Sequence, residues 1–234
     1  MIPRLTEMIE PTRRIILISG ANSPLGSALA SWALGEGSEV IGTIRCSSAR
    51  PQSSAERMRL FSVDYSNRDS IKTFAESVER IYGRVDCLIN NVSSWHEGGV
   101  LSQDLSEVRE QLDSSIGGTV ELTTRMVSLL IRSEDARIIN ICSTAGTDYR
   151  WSPNTTYVTL KSAISAFGRS LQRELHESRV KVTNVHLGKF EDGCGDELDL
   201  MTVSDIVKGI AMVYSVSPRS VVNQIVMTPS KYEY

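Results

Sequence analysis

Cysteine, histidine and long apolar runs are all scarce in this sequence. Its 234 residues include four cysteines, Cys46, Cys87, Cys142 and Cys194, and no Cys-x-x-Cys pair. That spacing argues against a disulfide framework or a zinc site, and reduced, partly buried thiols are expected. The three histidines, His96, His176 and His186, are too few and too scattered for a metal cluster. No apolar run approaches the length of a membrane span. The first twelve residues carry Arg4, Glu7 and Glu10 and lack the apolar core of a signal peptide, so a cytoplasmic location is expected. A formal net charge of −3 is weakly acidic, which argues against nucleic acid or an anionic membrane as the main partner. With 41% hydrophobic and 23% charged residues, the composition fits one large soluble domain with a substantial core. Residues 1–12 read as an N-terminal extension and residues 13–234 as that single domain.

Short apolar runs alternate with helical periodicity from end to end. Strands are predicted at residues 14–18, 39–44, 58–63, 85–89, 137–142, 180–185 and 222–227. Helices are predicted at 25–34, 70–82, 156–177 and 203–214, with two more expected within 105–130. The clearest is 70–82, where Ile71, Phe74, Ala75, Val78 and Ile81 fall on one face. Repeated strand–helix alternation implies an α/β fold, a doubly wound Rossmann-type parallel sheet of about seven strands with helices on both faces. No repeat, low-complexity linker or charge block divides the chain.

Within this pattern, Tyr157-Val-Thr-Leu-Lys161 places a phenol and an ammonium one helical turn apart on one face. A phenol with the ordinary pKa of about 10 is a poor proton carrier at neutral pH. A neighbouring ammonium favours the phenolate, which suits such a pair to acid–base work. The same spacing also occurs on ordinary helices, so the pair gains meaning only from its context. Upstream, Ser19-Gly-Ala-Asn-Ser-Pro-Leu-Gly26 joins the first strand to the first helix, where a pyrophosphate meets backbone N–H groups and a helix N-terminus. Gly20 permits the tight turn and Gly26 a close packing of helix on sheet.

In that turn, in Asn90-Asn-Val-Ser93 after the fourth strand, in Asn140-Ile-Cys-Ser-Thr-Ala-Gly146 and in the Tyr157/Lys161 pair, the chain resembles the classical short-chain dehydrogenase/reductase family. The resemblance runs in order from about Arg13 to Pro229. It implies that Ser143 polarises a substrate carbonyl, that Tyr157 gives or takes the proton, and that Lys161 binds the nicotinamide ribose and tunes the tyrosine. It further implies dinucleotide contacts from Gly20, Asn22, Ser23, Pro24, Leu25, Gly26, Asp64, Tyr65, Asn91, Val92, Ser93, Gly188 and Phe190, besides Tyr157 and Lys161. Arg45 follows the second strand where family members that prefer NADP carry a basic residue, so NADP (NADPH) is expected over NAD. Ser19 takes the place of the threonine that opens the family's turn, Val92 and Ser93 depart mildly from its Asn-Asn-Ala-Gly, and three further places depart from the pattern. Pro24 replaces the middle glycine of the turn and removes an N–H donor. His186-Leu-Gly188 stands where Pro-Gly is usual. Ser115 occupies the place of the tetrad asparagine, whose hydrogen bonding a single hydroxyl does not copy.

Trp95, Tyr149 and Trp151 fall in loops over the C-terminal strand ends, which marks them as candidate substrate contacts together with Ser143. Packing against each other or a neighbouring subunit explains these rings equally well. His96 and Arg150 are candidates to orient a substrate anion, with surface solvation the expected state of both. The segment from Gly188 to Val203 is short and acidic where relatives have a longer lid, which suits a bulky or carrier-bound carbonyl/alcohol substrate; a solvated acidic loop is the competing explanation. The resemblance implies a homodimer or homotetramer, and a carbonyl (ketone/aldehyde) reductase is the expected activity. A non-redox lyase or isomerase using the same tyrosine, and a catalytically weak NADP-binding regulator, are the alternatives.

Overall fold

Ile15, Ile16, Leu17 and Ile18 form a strand buried at every position, as expected of a parallel strand covered on both faces. In the computed structural model, which describes residues 13–45, 56–93, 99–148, 152, 154–191 and 200–231, this strand (β1, Ile15–Ile18) lies inside a seven-stranded sheet. The other strands are β2 (Glu39–Ile44), β3 (Met58–Ser62), β4 (Cys87–Asn90), β5 (Arg137–Ser143), β6 (Lys181–Leu187) and β7 (Gln224–Met227). Every neighbouring pair is parallel, and the order is β3-β2-β1-β4-β5-β6-β7. Strand order reverses between β1 and β4, which opens a crevice at their C-terminal ends.

The helices cover both faces. Helices α1 (Pro24–Gly35) and α6 (Val203–Ser215) close one apolar layer around Ile16, Ile18, Leu29, Ile89 and Ile206. Helices α2 (Arg68–Tyr82), α4 (Gly118–Leu130) and α5 (Thr155–Glu174) close the other around Leu17, Phe74, Leu88, Met126 and Leu171. Each begins where the sequence supplies a cap or breaker. Ser23 accepts from the Gly26 N–H with Pro24 at the first position of α1, Asn67 caps α2, and Thr202 with Asp205 forms a capping box on α6.

Residues 105–130, read as two helices, form one continuous helical run: α3 (Leu105–Gln111), a π-helical turn (Leu112–Gly117), then α4. The wider turn inserts an extra residue without breaking the rod, which period counting does not detect. Helix α5 ends three residues earlier than the pattern implied, and a 3-10 turn (His176–Ser178) follows it.

A buried polar ladder crosses the centre of the sheet. Asn90, Asn140 and Asn184 stand in register on β4, β5 and β6. Asn90 donates to Thr123 on α4 and to Asn140, each at 2.9 Å; Asn140 donates to Asn184 at 3.0 Å; Asn184 donates to the Ser165 carbonyl on α5 at 2.9 Å. These amides tie α4, three strands and α5 into one register, since a one-residue slip would strand each of them in apolar surroundings.

Candidate active site

The turn after β1 is held from two sides. Ser19 Oγ accepts the N–H groups of Asn91 and Val92 at 2.8 and 3.0 Å, and the Asn91 amide donates back to the Ser19 and Gly20 carbonyls and to Ser23 Oγ. From β2, Thr43 Oγ1 accepts the Gly20 N–H at 3.2 Å, and the Thr43 carbonyl accepts the Ala21 N–H at 2.8 Å. Gly20 is left-handed (φ 66°), and a Cβ on Gly26 would lie 2.1 Å from the Gly20 carbonyl oxygen, so only glycine lets α1 start this close. The Ser19 hydroxyl thus makes the loop after β4 part of the same unit.

Above this unit lies a cavity of about 550 Å³. It gathers Gly20, Asn22, Ser23, Arg45, Asp64, Tyr65, Asn91, Val92 and Ser93, nine of the residues the sequence marked for cofactor contact. Pro24, Leu25 and Gly26 lie behind it in the first turn of α1, with Leu25 and Gly26 buried. The Tyr65 hydroxyl is hydrogen-bonded to Thr43 Oγ1 at 2.9 Å, and burial raises its pKa far above the ordinary value. The hydroxyl is thus tied to β2 while the residue lines the cavity. Sequence reasoning missed Ser114 and Glu110, which also line the cavity. The Ser114 hydroxyl is buried without a hydrogen-bond partner, a donor left for something placed in the cavity. Ser115, at the asparagine position, is buried instead; the π-helical turn brings Ser114 to the cavity, and counting residues on a regular helix does not show this. An exposed guanidinium at Arg45, backbone turns at a helix N-terminus and an orphan hydroxyl fit an elongated, phosphate-bearing dinucleotide.

Ser143 closes β5, where its Oγ accepts the Ala145 N–H at 3.2 Å and the chain enters a 3-10 turn (Thr144–Gly146). That turn is pressed onto α5: a Cβ on Gly146 would fall 2.5 Å from the Lys161 carbonyl oxygen, and Ser162 Oγ donates to the Gly146 carbonyl. Asn154 caps α5 by accepting the Tyr157 N–H at 2.9 Å. The Lys161 ammonium, itself buried, lies 5.7 Å from the centroid of the Tyr157 ring and donates to the Ile141 carbonyl at 3.2 Å. Packing rather than sequence distance therefore brings the Ser143 strand end against the helix that carries Tyr157 and Lys161.

Behind Ser143 sits His186, fully buried on β6. Its Nδ1 is 3.2 Å from the Ser143 carbonyl oxygen, which only accepts, so Nδ1 carries the proton in the neutral ring. Its Nε2 is a buried acceptor without a partner. Burial holds its pKa below the ordinary value, and the charges of Arg169 and Lys161 act in the same direction. Burial acts in the opposite direction on Cys142, in register with His186: its pKa is pushed up to about 11, so it stays a thiol.

Gly188 packs beside Pro229 and Thr228, while Phe190 is half-buried against the core and bridged to Met201; neither lines the cavity. Trp95, His96, Tyr149, Arg150 and Trp151, and the acidic stretch 192–199, lie outside the described residues. Among the described residues no group of His, Cys, Asp and Glu is placed to hold a metal, and no helix is long and apolar enough to cross a membrane.

Residues 14–199 match the short chain dehydrogenase family model. A curated relative, the 3-ketodihydrosphingosine reductase of Bacteroides thetaiotaomicron, is 28% identical over 190 residues, covering 80% of this chain and 68% of the relative. An alcohol dehydrogenase from the archaeon Thermococcus sibiricus, solved with 5-hydroxy-NADP, superimposes with a TM-score of 0.84 at 16% identity, over 95% of this chain and all (100%) of the other. A short-chain dehydrogenase from Leptospira borgpetersenii, solved with NAD+, gives 0.82 at 20% identity, over 92% and 91% of the two chains. With the sheet order, the held turn and a family match over most of its length, the chain belongs to the short-chain dehydrogenase family and is an oxidoreductase.

Proposed function

We propose that the protein is an NADP-dependent carbonyl reductase, converting a ketone or aldehyde to an alcohol with Tyr157 as proton donor. The observation that carries this reading is the Lys161 ammonium 5.7 Å from the Tyr157 ring, on the helix against which the Ser143 strand end packs. When bound, the nicotinamide supplies hydride. Ser143 Oγ donates a hydrogen bond to the carbonyl oxygen and so fixes its orientation. Tyr157 passes its proton to that oxygen as the alcohol forms, and the Lys161 charge stabilises the phenolate left behind. Neutral His186 adds no second positive charge there and holds the Ser143 backbone from the rear. The preference for NADP rests on Arg45, exposed at the cavity rim and, among the described residues, without a carboxylate within ion-pair distance. The name of the bacterial relative, a 3-ketodihydrosphingosine reductase, supports a ketone substrate. Homodimer or homotetramer formation in the cytoplasm completes the reading.

Titration of the purified protein with NADPH and NADH, followed by a panel of aldehydes and ketones, tests it. NADPH should bind the more tightly, and at least one bulky ketone should drive loss of its absorbance. Tight NADPH binding with no turnover on any carbonyl would contradict the reductase assignment. Product formation without any change in nicotinamide absorbance would point to non-redox chemistry instead.

A further inference from the structure

We infer that the groove between α5 and the α6–β7 connection, at the N-terminal end of the sheet, binds a small phosphate-bearing polyanion. It lies far from the candidate active site: Lys181 opens β6 and Leu187 closes it beside Ser143, about 20 Å away at the usual rise per residue. Its volume is about 980 Å³, within the range of small-molecule sites.

The groove's charge is opposite to that of the chain. Arg169, Arg173, Arg179, Lys181 and Arg219 line it against one carboxylate, Glu134, whereas the whole sequence carries a net charge of −3. Lys181 is paired with Asp135, which Arg14 and Arg137 also share, and Arg169 donates to Ser165 Oγ at 2.7 Å. Arg173, Arg179 and Arg219 have no carboxylate within ion-pair distance among the described residues. Gathering unneutralised guanidiniums in one concavity is repulsive, and an anion placed among them relieves that repulsion.

Two further features define the site. Gln172 Nε2 donates to the Val182 carbonyl at 3.1 Å and to the Asn223 carbonyl at 2.7 Å, so the wall formed by α5 is fixed to the opposite wall. Arg179 is left-handed (φ 63°), the sole non-glycine residue with positive φ among the described residues. A side chain there costs about 1 kcal/mol relative to glycine, yet the turn holds an arginine. Guanidiniums present planar, paired donors that match phosphate oxygens, and several arginines around one groove suit a di- or triphosphate better than a single carboxylate. Inorganic polyphosphate and the phosphate chain of a nucleotide share this chemistry.

Calorimetric titration of the full chain with tripolyphosphate, and separately with ATP, at low salt and with NADPH saturating the cofactor cavity, tests the proposal. One probe per chain should bind, and Arg173→Ala/Arg219→Ala should weaken binding at least tenfold while the melting temperature stays within a degree or two of the parent (order of magnitude from surface substitutions). Equal affinity for both probes identifies the phosphate chain as the ligand; tighter ATP binding identifies a nucleotide. Absence of binding, indifference to the double substitution, or loss of binding when NADPH is added would each overturn the proposal. So would probe exclusion by self-association of the chain through this groove.

Discussion

Arg45 follows β2 as an exposed cation on the rim of the cavity, where a charge-assisted hydrogen bond to a phosphate is worth about 1.5–3 kcal/mol. Arg45→Ala should therefore raise the KM for NADPH by about ten- to a hundredfold, while the KM for NADH changes little. Steady-state kinetics with both cofactors measures this, and equal effects on the two would remove Arg45 from cofactor choice. His186 makes a prediction about stability. Its folded-state pKa is depressed, so the unfolded chain binds the proton more readily and stability falls as pH drops below about 6.5, the ordinary histidine value. Denaturant midpoints between pH 7.5 and 5 should show this slope in the parent protein, and His186→Gln should flatten it. An unchanged slope in the variant would assign it to other groups.

At the scale of elements, the asparagine ladder does what apolar packing alone does not, since its amides hydrogen-bond one another in one register only. Asn140→Ala would leave Asn184 Oδ1 without its donor and Asn90 without an acceptor on β5, at a cost of about 2 kcal/mol or more. For a chain of this size that lowers the melting temperature by about 4–8 °C, which calorimetry measures; a shift under about 1 °C would mean that water replaces the lost amide. The ladder was not legible in the sequence. Asn90, Asn140 and Asn184 are far apart in the chain, and only strand order and register make them neighbours. The strands themselves were legible, because β1, β4 and β5 are short runs built mainly of apolar residues and buried at every position. The π-helical turn was not, since its extra residue leaves the apolar pattern of α3 and α4 intact. Ser114 at the cavity and Ser115 beneath it follow from that turn. His186 was legible only as a departure from Pro-Gly; its burial and its bond to Ser143 depend on the β5–β6 register.

For the molecule as a whole, alternation of strands and helices implied a doubly wound sheet, and the switch between β1 and β4 places the cavity where such sheets bind ligands. Nine residues from four separate stretches of chain, which the family resemblance rather than periodicity marks as candidate cofactor contacts, line that cavity. The Tyr157/Lys161 pair was visible as a spacing, but its neighbour Ser143 is set against α5 by the Gly146 contact, a packing fact. The proposed reductase activity stands or falls on the proton that Tyr157 carries. The direct measurement is single-turnover oxidation of NADPH by the parent protein and by Tyr157→Phe, with a ketone substrate of the parent. Removing the hydroxyl should slow the step by about 10²–10⁴-fold while NADPH affinity stays within about threefold. A variant that turns over at the parent's rate would contradict the assignment.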